Sequence, residues 1–320
     1  MAKPSISTLE LLPNEVLFIL FEYFDAQELY RSFYNLNSHW NCLLQSLSRL
    51  SLMFRTSDIN SFEKYHQNFP SQIHTLMIYS QDNIEISQFF NLRNLLIWSP
   101  TAEQILQINT QSFRSIVYLY ISFTILKPSI SSLYEKIFSN GFPSLKFCYL
   151  CGLESPDNNI QWSQSPNLQY LHTSSNPASI LNSSPNLSSL ILDLIVLDDK
   201  SLHFNPHFNL KRLKLVISHI TWLDDTKHLV TLFTLLPNLE RLSYHKTYSI
   251  TNPLDILLSY DWLGGILMKC LPLLKRFIYH LRVCNLFSID QTDLNEHRSK
   301  FRENFLKIYP NQSKYSFRID

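Results

Sequence analysis

The sequence predicts an α/β protein in which a short helical segment precedes a long repeating body built on a parallel sheet. Two observations lead to this prediction. Apolar residues follow helical spacing over the first 50 residues. A short leucine-rich motif then recurs at intervals of 19 to 35 residues, with helical stretches in several of the intervals. Strands that alternate with helical crossovers are typical of a parallel sheet.

Composition narrows the classes of function. The chain has 320 residues, of which 45% are hydrophobic, so it can bury a large core. Its 27 basic and 26 acidic residues almost cancel, whereas a general nucleic-acid binder would be markedly basic. Only 4 glycines occur, although phosphate loops and tight catalytic turns require this residue. We therefore expect a protein-binding chain rather than an enzyme, with no cofactor.

The five cysteines predict reduced thiols rather than disulfides. Their number is odd, and the opening "MAKPSISTLELLPNE" lacks the charged start and apolar run of a secretion signal. No stretch approaches the roughly 20 apolar residues that span a bilayer. We therefore expect a cytoplasmic or nuclear protein that does not enter a membrane. The cysteines are Cys42, Cys148, Cys151, Cys270 and Cys284.

Three short helices are predicted between residues 11 and 47. Pro13 suits the first turn of the first helix, and Val16, Leu17, Leu20 and Phe24 form its apolar stripe. This helix also carries apolar residues on its other faces, so it needs contacts on two sides. Either the segment docks on the rest of the chain or it binds a partner.

Capping signals mark the second and third helices. Asp25 with Glu28 three residues later has the pattern of a capping box. Asn37 or Ser38 can begin a third helix, which carries Trp40.

The order and spacing of these residues resemble an F-box. The resemblance covers about 40 residues, from Leu12-Pro13-Asn14-Glu15-Val16-Leu17 to Trp40. It implies docking onto a Skp-type adaptor and, through it, onto a cullin–RING ubiquitin ligase. The residues expected at the adaptor contact are Leu12, Pro13, Val16, Leu17, Leu20, Phe24, Leu29, Phe33, Leu36 and Trp40. Some of these residues must instead hold the three helices together, and Leu29 and Trp40 are the ones expected in the core.

The repeating motif of the body has the form L-x-x-L-x-L, as in "PNLQYLHT", "PNLSSLIL" and "PNLERLSY". It resembles the leucine-rich repeat, in which each unit gives one short strand with alternate leucines pointing into the core. No asparagine follows L-x-L at the position usual for that family, so an irregular solenoid is expected. The first apolar positions are Ile73, Leu92, Ile116, Leu145, Leu168, Leu187, Leu210, Leu239 and Leu274.

Helices are predicted in the longer intervals, at 130–140, 225–236 and 261–271. After about residue 285 the repeats stop, and an amphipathic helix is expected to cap the open end of the solenoid. The predicted domains are therefore an F-box-like helical domain at 8–50, a leucine-rich-repeat-like α/β solenoid with a parallel sheet at 51–285, and a helical cap at 286–320.

Residues next to the inward leucines should face outward, on the concave side of the sheet. The early repeats place aromatic residues there and the late repeats basic ones, which predicts a protein ligand with an apolar anchor and an acidic or phosphorylated end. Two alternatives remain open: the aromatic residues only pair across strands, or the C-terminal segment covers them. The expected target-binding residues are Tyr79, Trp98, Tyr118, Tyr120, Tyr149, Tyr170, Arg212, Lys214, Arg241 and Arg276.

No catalytic or metal motif stands out. Cys148 and Cys151 form a lone pair without a second half, and Cys148 occupies a core position of its repeat. His203 and His207 have helical spacing, but Pro206 lies between them. The resemblance implies a non-catalytic subunit that presents a protein target for ubiquitination. The alternatives are a scaffold that binds the adaptor without a role in degradation, and an unrecognised enzyme on a repeat scaffold.

Overall fold

A computed structural model describes most of the chain. The described residues are 8–55, 68–79, 84–122, 131–151, 162–174, 177–194, 204–217, 225–249, 261–284 and 315–319, with single residues at 296, 299 and 303. The chain divides into two compact units, residues 1–129 and 130–320. This division differs from the predicted limits at 50/51 and 285/286. Each unit is α/β and contains a parallel sheet.

The first unit begins with three short helices. After a 3-10 turn at Thr8–Leu11 come α1 (Asn14–Phe21), α2 (Ala26–Phe33) and α3 (Ser38–Ser46). The predicted capping box is confirmed, because the Glu28 backbone N–H donates to Asp25 (2.8 Å) and the Asp25 N–H donates to Glu28 (2.9 Å). Asn37 caps α3 by accepting from the Trp40 N–H at 3.0 Å.

Aromatic rings form the core between these helices. The Phe21 ring lies 5.1 Å from Phe33 and 5.9 Å from Trp40, and the Phe33 and Trp40 centroids are 5.0 Å apart. All three side chains are buried. Aromatic pairs at these distances stabilise a core beyond the area that they bury, which lets three short helices pack with few residues.

Four parallel strands follow in chain order: β1 (Leu50–Phe54), β2 (Ile73–Ile78), β3 (Asn94–Trp98) and β4 (Tyr118–Ser122). A 3-10 turn at Ile86–Gln88 lies between β2 and β3, and a short helix, α4 (Ala102–Gln107), lies between β3 and β4. Strand β1 was not predicted, although Leu47, Leu50 and Leu52 have the spacing L-x-x-L-x-L. It starts at the predicted domain boundary and pairs with β2, so the helices and the sheet belong to one unit.

The second unit contains strands β5 (Phe147–Cys151), β6 (Tyr170–Thr173), β7 (Ser189–Leu194), β8 (Arg212–Ile217), β9 (Arg241–Ser249), β10 (Arg276–Cys284) and β11 (Tyr315–Ile319). Each pairs in parallel with the next strand in the chain. The helices are α5 (Ser131–Phe138), α6 (Pro177–Ser183), α7 (Asp225–Thr234) and α8 (Asp261–Cys270). The three helices predicted for the longer intervals are thus confirmed as α5, α7 and α8.

The leucine motif places strands β3 to β10 as predicted. Eight of the nine first apolar positions are fully buried, and only Leu274 is partly exposed. From β3 to β10 each strand begins two residues after that position. Buried and more exposed residues then alternate, as in Arg212–Ile217, because successive side chains of a strand point to opposite faces.

An asparagine ladder is present at a position that was not predicted. It lies just before the first leucine of the repeat rather than after L-x-L. In each case Nδ2 donates to a backbone carbonyl of the preceding repeat, at 2.7 to 2.9 Å. The pairs are Asn91 with Ser71, Asn167 with Pro143, Asn186 with Pro166, Asn209 with Pro185, and Asn238 with Phe208.

The end of the chain differs from the predicted helical cap. Tyr315–Ile319 is a strand, β11, in register with Phe277 to Leu281 of β10. The predicted amphipathic helix lies largely outside the described residues, although Glu296, Ser299 and Glu303 have helical conformation. Among the helices in the described part of the chain, none combines the length and apolar character needed to cross a lipid bilayer.

Candidate binding surfaces

An apolar stripe lies exposed along α1 and its two ends. Leu12 is 38% exposed, Val16 43%, Ile19 60% and Tyr23 83%. Val16 and Ile19 lie three residues apart on one face of α1, while Leu12 precedes the helix and Tyr23 follows it. We call these four residues the α1 stripe. The other face of α1 carries the buried Leu17. Helix α1 is apolar on both faces: it buries one face in its own unit and leaves the other face exposed.

The residues predicted at the adaptor contact separate into two groups. Pro13 and Leu36 are exposed, as are two members of the stripe, while Leu20 and Phe24 are partly exposed. Four predicted contacts are instead core: Leu17, Leu29, Phe33 and Trp40. Helical spacing alone could not separate these groups, because apolar residues occupy every face of α1. Ile19 and Tyr23 were not predicted as contacts, although their helical spacing from Val16 could have indicated them.

A hydrogen bond orients the turn that precedes α1. Trp40 Nε1 donates to Glu10 Oε1 at 3.0 Å, and Asn37 Nδ2 donates to the same oxygen at 2.7 Å. The buried Trp40 thus has a polar partner for its indole N–H. This contact attaches the Thr8–Leu11 turn to α3 and so fixes where the polypeptide enters α1.

Three aromatic side chains stack on the exposed face of the first unit's sheet. Tyr79 and Trp98 are nearly parallel, with centroids 4.0 Å apart and an interplanar angle of 12°. Trp98 and Tyr120 follow at 4.9 Å. These aromatic residues therefore pair across strands, as one of the two alternatives predicted. Tyr79 nevertheless exposes 43% of its surface. Tyr118 lies two positions earlier on β4 and is partly exposed.

A second aromatic pair lies on the sheet of the second unit. The Tyr149 and Tyr170 rings are 4.7 Å apart, and Phe147 lies 6.5 Å from Tyr170. Phe147 is 38% exposed. The predicted aromatic residues therefore form two clusters, one in each unit.

The predicted basic residues lie in one row of the second unit. Arg212 pairs in register with Arg241, and Arg241 with Arg276, so three arginines occupy neighbouring strands on one face. All three are exposed, and we call them the arginine row. Lys214 lies two positions beyond Arg212 on the same face and is partly exposed.

The surroundings of the arginine row are basic. Residues 211–214, 240–243 and 275–278 contain six basic side chains and one acidic side chain, Glu240. The Glu240 carboxylate accepts from Lys275 Nζ at 2.8 Å and lies 3.8 Å from Lys211 Nζ. The hydrogen bond from Lys275 is the main cause that holds the pKa of Glu240 below its ordinary value. The single carboxylate therefore stays charged between two lysines, and the row keeps a net positive field.

Two histidines follow on the same face. Nδ1 of His280 lies 3.1 Å from Nδ1 of His245, and Nε2 of His245 lies 2.8 Å from the Ser243 hydroxyl. Burial, reinforced by the nearby charges of Lys214 and His280, lowers the pKa of His245 to about 4. His245 is therefore neutral at pH 7.

A polar cluster on β5 to β7 was not predicted as a site. His172 Nε2 lies 2.7 Å from Asp193 Oδ2, and Nδ1 lies 3.4 Å from Cys151 Sγ. Cys148, on the other face of β5, is fully buried, which confirms its predicted core position. The three members of the cluster are far apart in sequence, so only the strand register reveals their proximity.

The remaining candidate ligands do not form a metal site. His207 is buried and its Nε2 lies 2.9 Å from the Ser184 carbonyl, while His203 lies outside the described residues. In the part of the chain that the structure describes, no group of three or more His, Cys, Asp or Glu side chains could hold a metal ion.

Comparisons with known proteins give the chain no family. No protein-family model matches it, and no curated protein matches it either. The assignment of function therefore depends on the surfaces themselves.

Proposed function

We propose that this chain is a non-catalytic substrate-recognition adaptor. Its N-terminal helices dock onto a Skp-type adaptor, and its sheet surfaces hold a protein target for ubiquitination. The observation that carries the proposal is the α1 stripe. It belongs to the segment whose residues resemble an F-box, and it remains exposed although the same helix already packs on its own core.

The size and edges of the stripe suit a protein contact. Full burial of an apolar side chain of this size contributes about 1.5–3 kcal/mol, so four partly exposed side chains supply a useful fraction of a binding free energy. Glu15 and Glu22 are exposed on α1 and at its C-terminal end. An apolar centre with charged residues beside it is the usual anatomy of an interface.

The arginine row supports the second half of the proposal. Guanidinium groups bind carboxylates and phosphates through paired hydrogen bonds. Three of them at neighbouring strand positions, about 4.8 Å apart per strand, suit an extended acidic or phosphorylated segment. The Tyr149–Tyr170 pair, which lies on the same sheet, offers apolar contacts for the same target.

Co-expression of the chain with a Skp-type adaptor, followed by co-purification, tests the docking half. The variant Val16→Asp/Ile19→Asp places charge on the stripe without touching the core. A matched control is Leu106→Asp, because Leu106 is 68% exposed on α4. We expect a one-to-one complex with the wild type and the control, and loss of the complex with the stripe variant. Absence of any complex with a folded wild-type chain would contradict the proposal.

A further arm separates target presentation from simple scaffolding. The complex is supplied with the cullin–RING components, a ubiquitin-conjugating enzyme and ubiquitin. Transfer to a protein captured on the sheet surface is expected for an adaptor. Stable capture without transfer would leave only the scaffold function.

A further inference from the structure

Cys151, His172 and Asp193 lie on adjacent strands and face the same side of the sheet. His172 is in register with Tyr149 on β5 and with Ile191 on β7. Cys151 and Asp193 each lie two positions further along their strands, which is the next row on the same face. The imidazole of the middle strand therefore reaches forward between the two neighbouring strands and contacts both side chains.

His172 contacts both neighbours. Nε2 lies 2.7 Å from Asp193 Oδ2, so its N–H donates to the carboxylate. Cys151 Sγ lies 3.4 Å from Nδ1 and 3.9 Å from Nε2, so the sulfur sits beside the ring. The carboxylate fixes the orientation of the ring and holds it against the thiol, in the way that an outer carboxylate orients an active histidine.

His172 is a cation at neutral pH. Burial opposes its protonation, but hydrogen bonds with Asp193 and Cys151 outweigh burial and raise the pKa of His172 to about 9. The positive ring therefore lies within 3.4 Å of the Cys151 sulfur. Cysteine reacts through its thiolate, and a neighbouring cation favours that reaction.

The other cysteines with described side chains have different environments. Cys148 and Cys270 are buried, and burial raises the pKa of both thiols. Cys42 is exposed on α3, whereas Cys151 is partly exposed. Cys148 and Cys151 point to opposite faces of β5, so they do not approach each other as a disulfide pair would. The arrangement therefore singles out Cys151.

We propose that Cys151, His172 and Asp193 form a reactive thiolate centre at which hydrogen peroxide oxidises the Cys151 sulfur to a sulfenic acid. The thiolate attacks one peroxide oxygen, so that an S–O bond forms and the O–O bond breaks. The departing hydroxide takes the proton from His172 Nδ1 and leaves as water. Sulfur loses two electrons and the peroxide oxygens gain them, and the products are Cys151–SOH, neutral His172 and water.

The reaction adds an oxygen to the Cys151 sulfur and removes the positive charge of His172 on a partly exposed sheet face. The ring of Tyr149 lies 6.1 Å from that of His172, so the change takes place beside the aromatic pair of the second unit. This inference does not depend on the proposed adaptor function, because it rests on the cluster alone.

The test uses the intact chain and hydrogen peroxide, with a 1,3-diketone that traps sulfenic acids and peptide mass spectrometry to locate the trap. Cys42 serves as the internal reference, because it is exposed in the same chain. We expect an initial trapping rate at Cys151 at least about tenfold that at Cys42 at pH 7. Alkylation of the wild type by iodoacetamide should show the same order without any substitution.

Two substitutions probe the mechanism. Asp193→Asn removes the charge but keeps the shape, and His172→Gln removes the cation. Each should lower the Cys151 rate by about fivefold or more, with unchanged circular dichroism. The matched control His39→Gln alters an exposed histidine on α3 and should leave the rate unchanged. A Cys151 rate no higher than that of Cys42, or one insensitive to both substitutions, would overturn the proposal.

Discussion

Gln27 on α2 donates its side-chain N–H to the backbone carbonyl of Met53 on β1, at 2.7 Å. Gln27 is only 5% exposed, so this hydrogen bond joins the helices to the edge strand in a largely dry environment. The opening segment therefore docks on the rest of its unit, which was one of the two alternatives, and its binding to a partner stays a prediction. One side of the helical group packs on the sheet through α2, and the α1 stripe remains available on another.

Substitution of Gln27 should weaken that attachment. Gln27→Leu keeps most of the volume but leaves the Met53 carbonyl without its donor, which costs about 1–3 kcal/mol in the free energy of unfolding. Urea denaturation followed by circular dichroism measures the change. The matched control is Ser32→Ala, an exposed position on the same helix, which should stay within about 0.5 kcal/mol of wild type. Equal stability of the two variants would show that the hydrogen bond is not a significant attachment.

The asparagine ladder makes a second prediction. Asn186 Nδ2 donates to the Pro166 carbonyl at 2.9 Å, and Asn167 makes the same contact with Pro143 one repeat earlier. Asn186→Ala should destabilise the chain by about 1 kcal/mol, because a net hydrogen bond of this type is worth about that much. Gln164→Ala, an exposed amide in the turn before Asn167, is the control. Indistinguishable urea midpoints for the two variants would show that the hydrogen bond of Asn186 does not contribute to stability.

The sequence predicted the strands well because one periodic signal defines them. Leu168 and Leu187 illustrate it: each is buried, and each precedes its strand by two residues. Strand β1 was missed although Leu47, Leu50 and Leu52 have the motif's spacing, and β11 was missed because its sequence contains no leucine. The ladder was missed because the expected position followed the strand, whereas here the asparagine precedes it.

The candidate surfaces were harder to predict. The sequence of α1 is apolar all round, so only packing decides that Leu17 faces the core and Ile19 the solvent. The Cys151–His172–Asp193 cluster depends on strand register, which the spacing of motifs does not fix residue by residue. The arginine row was predictable because its three members occupy the same place in each repeat, directly before a buried residue.

The arginine row makes a third prediction. Arg212→Glu/Arg241→Glu reverses two adjacent charges and should weaken binding of a fluorescent hexaglutamate peptide by about tenfold or more, since charge-assisted pairs are worth about 1.5–3 kcal/mol each. Fluorescence anisotropy at two salt concentrations measures the affinity. Lys269→Glu, at an exposed position on α8, is the control for net charge. Equal loss in the control would assign the binding to overall charge and contradict a specific row.

The last prediction concerns pH and His245. Its neighbours are Lys214 on β8, His280 on β10 and Ser243 on its own strand, and Asp193 exerts a weaker opposing influence. Burial and the neighbouring positive charges lower the pKa of His245 to about 4, below the ordinary value of 6.5. The unfolded chain therefore binds a proton here more readily than the folded chain does between pH 6.5 and 4.

The sign of the effect follows from this difference in proton binding. The stability associated with neutral His245 is fully present above pH 6.5 and is lost as the pH falls toward 4. His245→Gln removes the titration, so its free energy of unfolding should fall less than that of wild type between pH 7 and 4.5.

Partial exposure of the ring reduces the expected difference to about 1–2 kcal/mol. Urea denaturation at both pH values measures it, with Ser189→Ala, a non-titrating change on the same face, as the control. Parallel pH profiles for wild type and His245→Gln would show that the pKa of His245 is the same in the folded and the unfolded chain.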